Sequence, residues 1–152
     1  MISVGVWLTN DDNKVLLQRR AETTAERGLV KPQSNPFVCQ PTFNGKVEPE
    51  EEIKEAVKRE GREELGASFA DNFSFESLKM FYKEGPYYNF CGQITKEQLK
   101  LVKLHSGATG GLIPVGKQDF KNIDVLGENV DPREGIVLFP DQYNALKILL
   151  RA

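Results

Sequence analysis

The chain has 152 residues, 39% hydrophobic and 28% charged, ordinary figures for one domain able to bury a core. Its net charge of −2 argues against a nucleic-acid binder that relies on bulk attraction to phosphate, but not against a polyphosphate ligand accompanied by cations. No apolar run approaches the ~20 residues of a membrane span, no signal peptide is expected before the first strand, and Cys39 and Cys91 are too few for a disulfide framework. The expectation is one domain over residues 1–152, cytoplasmic, with buried thiols and no membrane or nucleic-acid partner.

Ile2, Val4, Val6 and Leu8 alternate with Ser3, Gly5, Trp7 and Thr9, the period of a strand. Asn10 to Asn13 reads as a turn and Lys14 to Arg19 as the returning strand of a hairpin. Residues 21–36 read as a long, functional loop, and Phe37 to Thr42 as a strand. In Phe43-Asn44-Gly45, Asn44 tolerates a left-handed backbone, so a turn is expected there. A helix should start near Pro49, with Glu50, Glu51 and Glu52 at its positive end, and stop at Gly66. Ile53, Val57, Gly61 and Leu65 would face the core. Phe73 to Tyr82 and Tyr87 to Ile94 form a second strand pair joined through Glu84-Gly85-Pro86. Thr95 and Gln98 have capping-box spacing for a short helix, a glycine-rich passage spans Gly107 to Gly116, and residues 140–151 form a last helix.

The helix after Gly45 carries the chemistry. Glu60, Glu63 and Glu64 stand at i, i+3 and i+4 and share one face. At ~5 Å and an effective dielectric of ~20, each pair repels by about 3 kcal/mol before solvent screening, so the cluster suits a bound cation. Oxygen ligands without His or Cys point to Mg²⁺ or Mn²⁺ rather than zinc. The structural alternative is a solvated face in which Lys54, Lys58 and Arg62 balance the acids.

The full pattern goes further than the three acids. Gly45, five residues, Glu51, seven residues, Arg59-Glu60, two residues, Glu63-Glu64, one residue, Gly66 resembles the Nudix box. Two departures stand out. Gly61 replaces the usual aliphatic, at about 1 kcal/mol in helix propensity, and is read as allowing close packing on a sheet. Phe43-Asn44-Gly45 replaces the usual Pro-Gly-Gly. The resemblance implies an α/β fold, a Nudix-type α/β/α sandwich with a mixed central sheet. It also implies a metal-dependent hydrolase of a diphosphate bond in a nucleoside diphosphate linked to another group.

Carried over residue by residue, the box makes Glu60, Glu63, Glu64 and the Gly45 carbonyl the metal ligands. Arg59 would orient the acids, and Glu51 holds another fixed polar position. The general base is Glu60 or Glu63, or a distal acid among Asp119, Asp124 and Glu128, each of which also reads as a surface or capping residue. Arg20 and Arg27, with Arg19, could grip phosphate, or could be solvated charges. Trp7 could stack on a base or pack in the core, and Tyr82, Tyr87, Tyr88 and Phe90 share that ambiguity. The lone His105 has no partner in sequence. A nucleoside triphosphate-type substrate is favoured for a short chain. ADP-ribose, nucleotide-sugar or dinucleoside polyphosphate cleavage is the alternative, as is a non-catalytic ligand-sensing module. Prenyl diphosphate isomerase chemistry would need more histidines. Homodimers are frequent in the family, although no interface is legible.

Overall fold

The computed structural model describes residues 1–152. Strands β1 (Ser3–Thr9) and β2 (Val15–Arg20) form the opening hairpin. They pair only at its closed end, Leu8 with Leu16 and Thr9 with Val15, and then diverge. Short strands β5 (Cys39–Gln40) and β6 (Phe43–Lys46) fill the gap, β5 against β2 and β6 against β1. Thr42, between them, sits at the fork. Its hydroxyl accepts from Leu8 N–H at 2.9 Å and donates to the Leu16 carbonyl, so both diverging backbones keep a partner.

Helix α1 (Ile53–Leu65) is followed by α2 (Ala67–Asp71) and by the antiparallel pair β7 (Lys79–Glu84) and β8 (Tyr87–Gln93). Strand β8 runs parallel to β1. Helix α3 (Lys96–Lys100) opens on the Thr95–Gln98 capping box that the sequence predicts. Strand β9 (Ala108–Val115) pairs with β2. Strands β10 (Ile123–Val125) and β11 (Ile136–Leu138) pair in parallel, and β11 meets β5; helix α4 (Pro140–Leu150) follows. The result is a mixed sheet, in the order β10-β11-β5-β2-β1-β8-β7, with β6 and β9 branching from β1 and β2.

The period-two pattern of β1 separates two cores. Val4, Val6 and Leu8 pack with Val57 and Leu65 of α1. Trp7, with Val15 and Leu17 of β2, packs with Ala145 and Leu146 of α4. Helices therefore cover opposite faces of the sheet, the expected α/β/α layering. No helix is long and apolar enough to cross a membrane.

Several expectations change. Residues 21–36 contain a hairpin, β3 (Thr23–Glu26) and β4 (Leu29–Pro32), turning at Arg27 and Gly28 with φ of 52° and 79°. Positive φ at both turn residues matches the twist of paired strands, and Gln33 anchors the hairpin by donating to the Ala21 and Gly107 carbonyls. Helix α1 starts at Ile53 rather than near Pro49, because the Glu52–Glu55 capping box fixes its first turn. Phe43-Asn44-Gly45 is strand, not a left-handed turn; pairing with β1 holds it extended. The strand expected from Phe37 shrinks to Cys39–Gln40, since Phe37 adopts φ 71°. The second pair begins at Lys79, and Phe73 and Phe75 join an aromatic cluster instead. The glycine-rich passage is β9. Cys39 is buried, whereas Cys91 is only half-buried.

Candidate functional site

Gly45 of β6 lies directly under α1. A Cβ there would overlap the Glu60 carboxylate, so glycine is required for close approach. One turn on, Glu64 Oε1 accepts from Gln18 Nε2 at 3.2 Å and from Asn44 N–H at 3.3 Å. The Glu60 and Glu64 carboxyls lie against each other, and both have pKa values raised above the usual range. For each, burial is the largest cause, and for Glu64 the neighbouring Glu60 charge adds to it. Two acids meet here rather than three. Glu63 points outward, 58% exposed, with Oε2 3.4 Å from Arg59 Nη1, and no three His, Cys, Asp or Glu side chains converge as an ion-binding group.

Arg59 ties the helix to the acids. It grips Glu51 through Nε at 2.8 Å and Nη2 at 3.0 Å, Glu60 through Nη1 at 2.7 Å, and the Lys46 carbonyl through Nη2 at 2.9 Å. The bidentate hydrogen bond from Arg59 holds the Glu51 pKa down at about 2, and the same pair raises that of Arg59. Gly61, next to Glu60, would bring a Cβ within 2.8 Å of Phe75 and 3.2 Å of Phe43, so the close-packing expectation holds, against aromatic rings.

Sequence reasoning missed the residues behind the pair. Gln18 is fully buried; its amide donates to Glu64 and to the Thr42 carbonyl, and its oxygen accepts from His105 Nε2 at 2.6 Å. His105 Nδ1 accepts from Gly107 N–H, which assigns the proton to Nε2. Burial first, and then the Arg20 charge, lowers its pKa and keeps the ring neutral. A strand glutamine and a loop histidine 87 positions apart carry no local signal.

The remaining expected residues fall in different places. Arg20 is half-buried, donates to the Ser34 carbonyl, and feels the Glu64 charge; it lines an open cleft with Gly45. Arg19 is turned to the Gly135 carbonyl. Arg27 is exposed at a hairpin tip, away from the cleft lining. Of the two readings of Trp7, stacking on a base is corrected and core packing holds: the ring is fully buried and its Nε1 donates to Asn89 Oδ1 at 2.8 Å. Asp119 caps Gly116 N–H at 2.7 Å, the capping reading.

The donor set fits a hard cation. The Asn44 backbone amide and the Gln18 amide that answer Glu64 are neutral and leave the second charge of the two inward carboxyls unbalanced, and those carboxyls offer only oxygen to a metal.

Solved structures share this architecture. The DR0079 protein of Deinococcus radiodurans is 15% identical at a TM-score of 0.61, over 95% of this chain and 80% of that one. A NUDIX hydrolase of Listeria monocytogenes is 18% identical at 0.56, over 99% and 92%. The MutT protein of Methanosarcina mazei Go1 is 21% identical at 0.53, over 95% and 88%. No curated protein sequence matches the chain. At these identities the structures speak for the fold. The sequence model of the NUDIX domain, however, matches residues 1–136, so the chain belongs to the NUDIX domain family, that of the Nudix hydrolases.

Proposed function

We propose that residues 1–152 act as one unit, a Mg²⁺- or Mn²⁺-dependent hydrolase of a phosphoanhydride bond in a nucleoside diphosphate linked to another group, with a nucleoside triphosphate the first choice of substrate. The carrying observation is the inward Glu60–Glu64 pair, with Glu60 pressed onto Gly45, a charge arrangement that a helix would otherwise avoid. Glu60, Glu64 and the Gly45 carbonyl would hold the cation. When bound, it would neutralise phosphate oxygens and activate water.

The protein's own groups do the rest. Arg59 fixes Glu60 while Glu51 fixes Arg59, so the carboxylate does not reorganise during the reaction. Gln18, oriented by His105, holds Glu64. Glu63 stands apart from the pair at lower desolvation cost, and we assign it the proton of the attacking water. Arg20 and Lys46 line the neighbouring cleft, where guanidinium and ammonium groups would receive phosphates.

The test is product analysis after incubation with nucleoside triphosphates, ADP-ribose, nucleotide sugars and dinucleoside polyphosphates, in Mg²⁺ and in EDTA. Mg²⁺-dependent cleavage of one class is expected. Absence of cleavage across the panel by folded protein would favour the ligand-sensing reading.

A further inference from the structure

The cleft beside Gly45 has a second end. Its volume is about 590 Å³, and its lining carries both charges. Arg20 and Lys46 stand on the β2 and β6 side with Gly45, and Glu84 of β7 and Asp141 of α4 on the far side of β1 and β8, where Tyr87 and Gln142 also line it. Tyr87 Oη and Gln142 Oε1 are both buried and both lack a hydrogen-bond partner. The two residues are only 7% and 6% exposed. Gln142 approaches Tyr87 without hydrogen-bond geometry, and Glu84 is already taken up by Tyr82 Oη and Asn144 Nδ2.

The orphan groups are held in place. The Tyr87 ring lies across Gly5, where a Cβ would overlap the phenol, so glycine opens the seat it occupies. Behind it, Trp7 Nε1 donates to Asn89 Oδ1 and thereby fixes that buried amide, whose Nδ2 is left unpartnered. Three unpaired polar atoms in one neighbourhood are unusual, because each buried group left unmade costs about 1–3 kcal/mol. A partner from outside the protein would remove that cost.

We propose that Tyr87 and Gln142 are the specificity residues of this cleft, hydrogen-bonding the uncharged, N–H- or O–H-bearing end of the substrate while Arg20 and Lys46 receive its phosphates. This rests on the diphosphate-hydrolase reading. The acids at this end repel phosphate and favour donor groups, so the polarity of the cleft sets the orientation of the ligand. The ligand class is a nucleoside diphosphate derivative with a donor-bearing base. A hydrogen-bonding site rejects an analogue that leaves its polar groups unpaired, and discrimination between bases follows.

Isothermal titration in Mg²⁺ of wild type, Tyr87→Phe and Gln142→Leu with pyrophosphate, ADP, GDP, CDP and UDP tests this. Wild type should bind one nucleotide tighter than the others and tighter than pyrophosphate. Each variant should lose about five- to tenfold for that nucleotide, flatten the preference among bases, and keep wild-type pyrophosphate affinity. Tyr87→Phe should also melt no lower than wild type without ligand, since it removes an unpartnered hydroxyl; a structural tyrosine would show the reverse. Unchanged nucleotide preference in both variants, with pyrophosphate still bound, overturns the specificity assignment alone. Failure of wild type to bind pyrophosphate or any nucleotide overturns the hydrolase reading and this inference with it.

Discussion

At the Gly45 end of the cleft, each inward polar group is answered by another part of the protein: Glu60 by Arg59, Glu64 by Gln18 and Asn44, Gln18 by His105. At the Tyr87 end, Tyr87 Oη and Gln142 Oε1 are answered by nothing. The first arrangement is pre-organised, so reaction there need not wait for side chains to move. The second keeps hydrogen-bonding capacity in reserve for whatever enters. On the proposed function, the first end performs the chemistry and the second chooses the substrate.

Breaking the first end should cost most. Glu60→Gln and Glu64→Gln should each lower Mg²⁺-dependent turnover by at least about a hundredfold, because each removes a charged group from the transition-state environment. Both should melt higher than wild type in EDTA, because a neutral amide is cheaper to bury beside the remaining acid. Wild type should gain about 2.7 kcal/mol when Mg²⁺ reaches a hundred times its dissociation constant, and the two variants should gain little. Glu63→Gln separates the roles further: turnover should fall as steeply, while the Mg²⁺-induced rise in melting temperature survives. Loss of that rise in Glu63→Gln would make Glu63 a ligand rather than the base.

Arg59→Lys comes next. A lysine cannot reproduce the fork on Glu51 while reaching Glu60, and turnover should fall about ten- to a hundredfold, with a small loss of stability at this partly exposed site. The pair also has a pH signature. The Glu51 pKa is about 2 in the fold against an ordinary 4.5, so its contribution is complete above 4.5 and disappears as pH falls towards 2. Denaturant titrations of Glu51→Gln across that window should show a shallower acid limb than wild type. Glu60 and Glu64 act in the opposite direction in EDTA: their raised values favour the protonated fold, so that stability falls as pH rises through them.

The division between the two ends also governs what the sequence discloses. Glu60, Glu63, Glu64 and Arg59 lie within one helix, where a fixed period turns spacing into geometry, and the alternation in β1 announces two cores before any contact is known. Spacing did not reveal that Glu63 turns away from the other two, because a shared helix face leaves side-chain direction to Arg59 and Gln18. Gln18, His105, Tyr87 and Gln142 come from β2, a loop, β8 and α4, and only tertiary packing brings them to their sites. Trp7 stayed open between stacking and packing for a related reason: α4, which covers its face of β1, lies far along the chain. The β3–β4 hairpin was hidden because its strands are short and exposed, with no buried face to impose a period.

The smallest expected effect sits at Gly61, where two physical terms oppose each other. Alanine would gain about 1 kcal/mol of helix propensity at this mid-helix position. Its Cβ would also lie 2.8 Å from Phe75 Cε1 and 3.2 Å from Phe43 Cζ. Phe43 is fully buried and cannot retreat, while Phe75 is wedged edge-on against Phe43, Phe69 and Phe73. Overpacking of this kind costs about 1–3 kcal/mol, so Gly61→Ala should be destabilised by about 1 kcal/mol, some 2–4 °C in melting temperature. Phe75→Leu should relieve the contact and turn the same substitution stabilising, a sign change that a double-mutant cycle reads directly. If Gly61→Ala stabilises the protein with Phe75 intact, the rings yield easily and the glycine is not there for packing. Its neighbour Glu60 would then owe its position to Arg59 and the Gly45 contact without help from packing at Gly61, and the chemistry end would be less rigidly built.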